Sequence, residues 1–153
     1  MCSSDLAGDV NGDGLADFGV IDQNNNFYLT LGSERLGAQQ TLSLNTNSSL
    51  ANTSAAAAAG DYNGDGYDDL LLDVSGQQLI YWGNSQGTLD RSSTFEANSN
   101  TVFSGVGDIN GDGFEDIAGG APPTPNGGGS VYYGSQAGTS YQAITLVPPA
   151  AGI

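Results

Sequence analysis

The chain has no lysine and no histidine, and it contains only two arginines, Arg35 and Arg91, and a single cysteine, Cys2. Each scarcity removes a class of function. Two cations cannot neutralise a phosphate backbone, which disfavours a nucleic-acid partner. Without histidine no Ser-His-Asp triad can form, and a lone cysteine provides neither an internal disulfide nor a thiol pair for a metal. No run approaches the roughly 18 apolar residues of a membrane span, so membrane insertion is not expected. No signal peptide is visible at the N-terminus. Cys2 to Leu6, CSSDL, match what a sequencing-adapter tail gives when read as codons, so residues 1–6 are read as non-native, with a short polar strand as the alternative. The helix formers Lys, Glu and Arg are scarce, and Gly-, Asn- and Ser-rich segments separate short apolar runs, which points to an all-β chain with many turns.

What the chain has in excess is acid: 17 Asp and Glu residues give a formal charge of −15. Nine of them are the aspartates at positions 1, 5 and 9 of three copies of one pattern, DxNxDGxxD: DVNGDGLAD (Asp9–Asp17), DYNGDGYDD (Asp61–Asp69) and DINGDGFED (Asp108–Asp116). Oxygen-bearing side chains stand at positions 1, 3, 5 and 9, and Gly at positions 4 and 6 lets the backbone curl around a point. Ca²⁺ takes six to eight oxygen ligands, and an EF-hand loop opens with the same alternation. One Ca²⁺ per loop would bring the formal charge from −15 to −9, so much of the excess acid reads as ligands. An EF-hand is disfavoured because position 12, which needs an acid, is Val20, Leu72 and Gly119. Plain Asn-Gly and Asp-Gly turns would explain each dipeptide but not four aligned oxygens repeated three times. Mg²⁺ suits such a cage less well, because it keeps several waters.

The loops begin at residues 9, 61 and 108, and the repeat extends beyond them. A short apolar run follows each loop: DFGVID (Asp17–Asp22), DLLLDV (Asp69–Val74) and DIAGGA (Asp116–Ala121). Next come FYLTLGS (Phe27–Ser33), LIYWGNS (Leu79–Ser85) and VYYGSQ (Val131–Gln136), and then the more polar TLSLNT (Thr41–Thr46), STFEAN (Ser93–Asn98) and AITLVP (Ala143–Pro148). Ahead of the second loop lies SAAAAAG (Ser54–Gly60), whose alanines favour helix by propensity alone. VFSGVG (Val102–Gly107) fills the same slot in the third unit, so a crowded inner strand is expected instead. Four short strands in about 50 residues is a propeller-blade length. The units are residues 1–52, 53–100 and 101–153, packed on one another by residues such as Leu70, Leu72, Tyr81, Ile117 and Val131. A calcium-binding parallel β-helix would need a nine-residue period, which is missing.

The third unit, VFSGVGDINGDGFEDIAGGAP followed by GGGSVYYGS, resembles the FG-GAP repeats of the integrin alpha-chain propeller and their bacterial relatives. Only this unit carries the GAP element, Gly120–Pro122; the others have Leu72–Val74 and Val20–Asp22 in that slot. The resemblance implies a seven-bladed propeller that binds Ca²⁺ on one face and serves adhesion or ligand binding outside the cell. Carried over by position, it implies ligands Asp9, Asn11, Asp13 and Asp17 with the carbonyl of Leu15. The second loop would use Asp61, Asn63, Asp65 and Asp69 with Tyr67, and the third Asp108, Asn110, Asp112 and Asp116 with Phe114, water completing each shell.

Beyond residue 6, the other acids, Asp22, Glu34, Asp68, Asp73, Asp90, Glu96 and Glu115, read as solvated surface, and nothing in their spacing singles out a catalytic carboxyl pair. Tyr81, Trp82, Tyr132 and Tyr133 share a slot in successive units and read as packing residues rather than sugar platforms. Loops such as PPTPNGGG (Pro122–Gly129) are the expected binding edges, and Asn47 and Asn52 match glycosylation sequons. The expectation is a non-enzymatic, calcium-binding propeller segment of a secreted or cell-surface protein with an extracellular protein or glycan partner. The alternatives are an accessory module of a secreted hydrolase, or a sugar-binding protein. Three units are fewer than the four to eight blades that close a ring. Blades of a longer parent chain, or further copies of this chain, are therefore expected partners.

Overall fold

A computed structural model describes residues 3–32, 41–43, 53–95, 102–120, 129–138 and 144–146, all of them in strands, turns or extended connections. Twelve strands form three four-stranded antiparallel sheets, each in simple chain order. The first sheet comprises β1 (Ser3–Gly8), β2 (Asp17–Ile21), β3 (Phe27–Thr30) and β4 (Thr41–Ser43). β5 (Thr53–Gly60), β6 (Asp69–Val74), β7 (Gln77–Trp82) and β8 (Asp90–Phe95) form the second. The third is β9 (Val102–Gly107), β10 (Asp116–Gly120), β11 (Gly129–Tyr132) and β12 (Ile144–Leu146). Each is a propeller-like blade, as the repeat predicts, and each acidic loop joins its blade's first and second strands.

The alanine run is a strand, and its surroundings show why helix propensity loses. β5 lies beside both β1 and β9, the first strands of the flanking blades. A Cβ added at Gly105 of β9 would sit 2.9 Å from the carbonyl oxygens of Ala58 and Ala59. Only small side chains permit that approach, and tertiary packing overrides a preference of less than about 1 kcal/mol per residue.

The middle strands of the second blade bury both faces. Leu70 and Leu72 of β6 join one apolar cluster with Ile21, Phe27 and Leu29 of the first blade. Leu71 between them points the other way, into a cluster with Phe103, Ile117 and Tyr132 of the third. That is the period-2 alternation of a strand sandwiched between two sheets. Tyr81 belongs to the first cluster, and Val131 is also buried. Trp82, by contrast, is half-buried and stacks on Tyr62 with ring centroids 6.4 Å apart.

Two of the acids read as solvated surface organise hairpins instead. Asp22 accepts the backbone N–H groups of Asn24 and Asn26 at 2.8 and 2.9 Å and the Tyr28 hydroxyl at 3.3 Å, which closes the β2–β3 turn. Asp73 accepts the Gly76 N–H at 3.0 Å and the Gln78 side-chain amide at 3.0 Å. The β6–β7 link between them is a two-residue turn with positive φ at Ser75 and Gly76, the handedness that matches strand twist. Glu34, Glu96, the two sequons, the Pro122–Asn126 stretch and the Ala-Pro of the GAP element lie outside the described residues, as do the far ends of the polar runs.

Candidate metal centre

Every loop begins at a β-bulge. Gly8, Gly60 and Gly107 end the first strands with φ of +81°, +70° and +77°, each paired with the position-9 aspartate of its own loop. The residue before each glycine is skipped in the ladder. This is glycine's role at such bulges, and it swings the chain out of the sheet and into the loop.

Within the loops one hydrogen-bond pattern recurs three times. The position-1 carboxylates of Asp9, Asp61 and Asp108 accept the backbone N–H groups of positions 5 and 6 at 2.8–3.1 Å. Asn11, Asn63 and Asn110 at position 3 accept the same position-5 N–H at 2.9–3.1 Å. Asp13, Asp65 and Asp112 at position 5 accept the amides of Leu15, Tyr67 and Phe114 at 2.8–3.0 Å, anchoring the position-7 peptide whose carbonyl was assigned to the shell. The side-chain amide at position 3 donates to the position-5 carboxylate at 2.9–3.0 Å. Backbone N–H groups thus hold two carboxylates and an amide oxygen together, and Gly113, Gly111 and the Asp112 and Asn110 amides keep the Asp108 carboxyl below its ordinary value.

Position 9 is placed differently. Asp17, Asp69 and Asp116 are fully buried. One oxygen of each accepts the position-2 amide (Val10, Tyr62, Ile109), and the other accepts a glycine amide just past the third strand (Gly32, Gly83, Gly134), all at 2.7–3.1 Å. This aspartate ties three parts of the blade together behind the loop. Burial raises the Asp17 carboxyl, and it pushes Asp69 up to about 8, with Asp65 and Asp61 adding repulsion against the two amide bonds. Among the described residues, no three Asp, Glu, His or Cys side chains converge as a group able to hold a metal ion. The structure brings positions 1, 3 and 5 together, and position 3 is Asn.

The loops are also clamped from outside by the next blade. Asp68, at position 8 of the second loop, accepts the Asp9 N–H at 2.7 Å, and its own N–H reaches the Asp9 carbonyl at 3.1 Å. The Asn84 N–H bonds the Val10 carbonyl at 3.0 Å. One blade on, Glu115 N–H bonds the Asp61 carbonyl at 3.2 Å and Ser135 N–H the Tyr62 carbonyl at 3.0 Å. Burial, then the charges of Asp68 and Asp61, raise the Glu115 carboxyl. At position 7, the Tyr67 and Phe114 rings lie over Gly12 and Gly64 of the preceding loop.

The FG-GAP-like repeat family matches residues 9–72 and 61–119. The chain belongs to that family. Both matched stretches begin at position 1 of an acidic loop and end in the second strand of the following blade, so each FG-GAP match spans the clamp that links one blade to the next. No curated protein matches the chain.

Asp68 and Glu115, read from sequence as surface, are thus inter-blade contacts. A signal was present: position 8 is acidic and position 7 aromatic in the second and third FG-GAP units, whereas the first has Leu15 and Ala16, with no described blade before it. Gly32, Gly83 and Gly134 follow the third strand in every unit, but their bond to an aspartate 14 to 18 residues earlier carries no local pattern.

A calcium ion fits the donor chemistry of these loops. The side-chain oxygens of positions 1, 3 and 5 that would hold it are hard donors oriented by backbone amides, and the loop sequences contain no cation.

Proposed function

We propose that this FG-GAP segment is a calcium-stabilised, non-catalytic binding module of a secreted or cell-surface protein, presenting its loops to an extracellular protein or glycan. The observation that carries the reading is the threefold recurrence of one hydrogen-bond pattern that holds the side chains of positions 1, 3 and 5 together. Asp9, Asn11 and Asp13, Asp61, Asn63 and Asp65, and Asp108, Asn110 and Asp112 would hold the ions, with Asp17, Asp69 and Asp116 at the loop bases and the carbonyls of Leu15, Tyr67 and Phe114. Bound calcium supplies positive charge that offsets the mutual repulsion of three carboxylates per loop. The backbone amides orient those carboxylates, and the buried position-9 aspartate joins the loop to the blade. A loop so fixed gives neighbouring recognition segments a rigid base.

Thermal unfolding with calcium and with EGTA, together with native mass spectrometry, tests this. Extracellular sites bind calcium with dissociation constants on the order of 10⁻⁴–10⁻³ M. At about 2 mM calcium that corresponds to about 0.6–1.8 kcal/mol per site, so chelation should lower the thermal midpoint by several degrees. An unchanged melt, with no calcium bound by mass, would sink the proposal.

A further inference from the structure

Positions 3 to 6 of every acidic loop read Asn-Gly-Asp-Gly, at residues 11–14, 63–66 and 110–113. Glycine carries no side chain to hinder attack of its nitrogen on the side-chain carbonyl of the residue before it, so each loop holds two peptides able to close into a succinimide ring. The hydrogen bonds separate the two. The position-6 nitrogen is tied in every loop, because Gly14, Gly66 and Gly113 donate to the position-1 carboxylate at 2.8–2.9 Å. The position-4 nitrogen is looser. Gly12 reaches only the Asp9 carbonyl, at 3.4 Å, and among the described residues the Gly64 N–H meets no acceptor. Gly111 differs: the Asp108 carboxylate holds it at 2.7 Å. The asparagine before each of these glycines is set up as an electrophile. Its Oδ1 accepts the N–H two residues on, that of Asp13, Asp65 or Asp112, at 2.9–3.1 Å, an Asx turn that folds the side chain back along the Asn-Gly peptide. Its Nδ2 donates to the carboxylate of the same aspartate at 2.9–3.0 Å. One neighbour thus touches both the oxygen on which negative charge would develop and the nitrogen that would leave.

We propose that Asn11 and Asn63 are self-modifying sites, which the folded loop converts to aspartyl or isoaspartyl residues. In the second loop the Gly64 nitrogen attacks Asn63 Cγ and gives up its proton to water, which reaches this exposed glycine. The new oxyanion on Oδ1 stays bonded to the Asp65 N–H. Its collapse breaks the Cγ–Nδ2 bond, and Nδ2, taking up a proton relayed by the Asp65 carboxylate it already touches, leaves as ammonia. Water then opens the succinimide at either carbonyl. The first loop does the same with Gly12, Asn11 and Asp13. No metal takes part. The product loop carries one more negative charge, and in the aspartyl form two carboxylates face each other where Nδ2 had donated to one. A converted loop is therefore held less well until a cation enters it.

Incubation of the full chain at neutral pH, folded and unfolded in urea, with isotope-labelled water and peptide mass mapping, tests the proposal. EGTA is present throughout, so the outcome is independent of the calcium reading. In urea the three loop sites should react at similar rates. In the folded chain Asn11 and Asn63 should react about tenfold faster than in urea, a modest share of the ~10²–10⁴-fold that positioned acid–base groups supply. Asn110 should stay near its urea rate, although it is exposed and the other two are half-buried. Asp65→Ala keeps the N–H that meets Asn63 Oδ1 and loses the carboxylate, so it should slow Asn63 toward the urea rate and leave Asn11 unchanged. Three results would each overturn the proposal: Asn63 no faster folded than in urea, Asn110 ahead of Asn63, or an Asp65→Ala chain, folded by circular dichroism, that reacts at Asn63 like the wild type. The first two need no variant.

Discussion

Replacing Asp69 by Ala separates the two kinds of aspartate in the loops. The side chain is fully buried, and its oxygens accept the Tyr62 N–H at 3.1 Å and the Gly83 N–H at 3.0 Å. Alanine removes the acceptor of the Gly83 N–H in an interior that water does not reach, while the Tyr62 N–H keeps its bond to the Gly60 carbonyl at 2.9 Å. An orphaned buried donor costs about 1–3 kcal/mol, so Asp69→Ala should lose at least that, a sizeable share of the ~5–15 kcal/mol typical of a domain. Asp69→Asn has one carbonyl oxygen to offer and should fall between. Asp65→Ala is the control: Asp65 is exposed, and water can replace its bond to the Tyr67 amide, so the loss should stay below about 1 kcal/mol without calcium. Urea unfolding in EDTA, followed by fluorescence of Trp82, reads the difference where it arises, since that ring stacks on Tyr62. Calcium should then stabilise Asp65→Ala less than the wild type. If Asp69→Ala unfolds in EDTA at the same urea concentration as Asp65→Ala, position 9 is not a structural tie and the reasoning fails.

Gly105→Val should destabilise the chain by about 1–3 kcal/mol through overpacking, because the new side chain meets the Ala58 and Ala59 carbonyls across the β5–β9 contact; thermal melts that match the wild type would contradict this close approach. Asp22 supplies the pH dependence. Its carboxyl lies below the ordinary 3.8, chiefly because the Asn26 side chain and then the Asn26 amide bond its charged form. A folded value below the unfolded one stabilises above the unfolded value and fades as pH falls through the folded one. An NMR titration should therefore place the Asp22 midpoint under 3.8, with the Asn24 and Asn26 amide shifts moving in the same window; a midpoint at or above 3.8 would contradict the turn geometry.

The blades were legible from sequence because their signals repeat. Three loops at fixed positions set the register, and aligning SAAAAAG with VFSGVG overrode a helix preference that a single copy would have supported. The four oxygen positions within each loop were legible as a set but not in their division of labour. Nothing in DxNxDGxxD distinguishes the exposed Asp65 from the buried Asp69, since burial is decided by where Gly83 returns after a full hairpin. Asp68 and Glu115 escaped notice because a pattern read down one unit shows an acid beside other acids, whereas their contacts lie in the unit before. Asp22 and Asp73 were missed for a different reason: side-chain bonds to nearby backbone leave no periodic trace.

The clamp across blades also means that the segment which was copied and the segment which folds are not the same stretch of chain. A repeat counted from Thr53 to Asn100 contains the acid that secures the loop at Asp9, while its own loop is secured by Glu115 and Ser135. A chain shortened to end before Thr53 would keep every residue of its loop and lose the groups that hold it closed. Inherited changes at position 8 should likewise express themselves one repeat upstream of where they occur. Boundaries for truncation or grafting are therefore better placed after the third strand of the following blade than at the edges of the repeat.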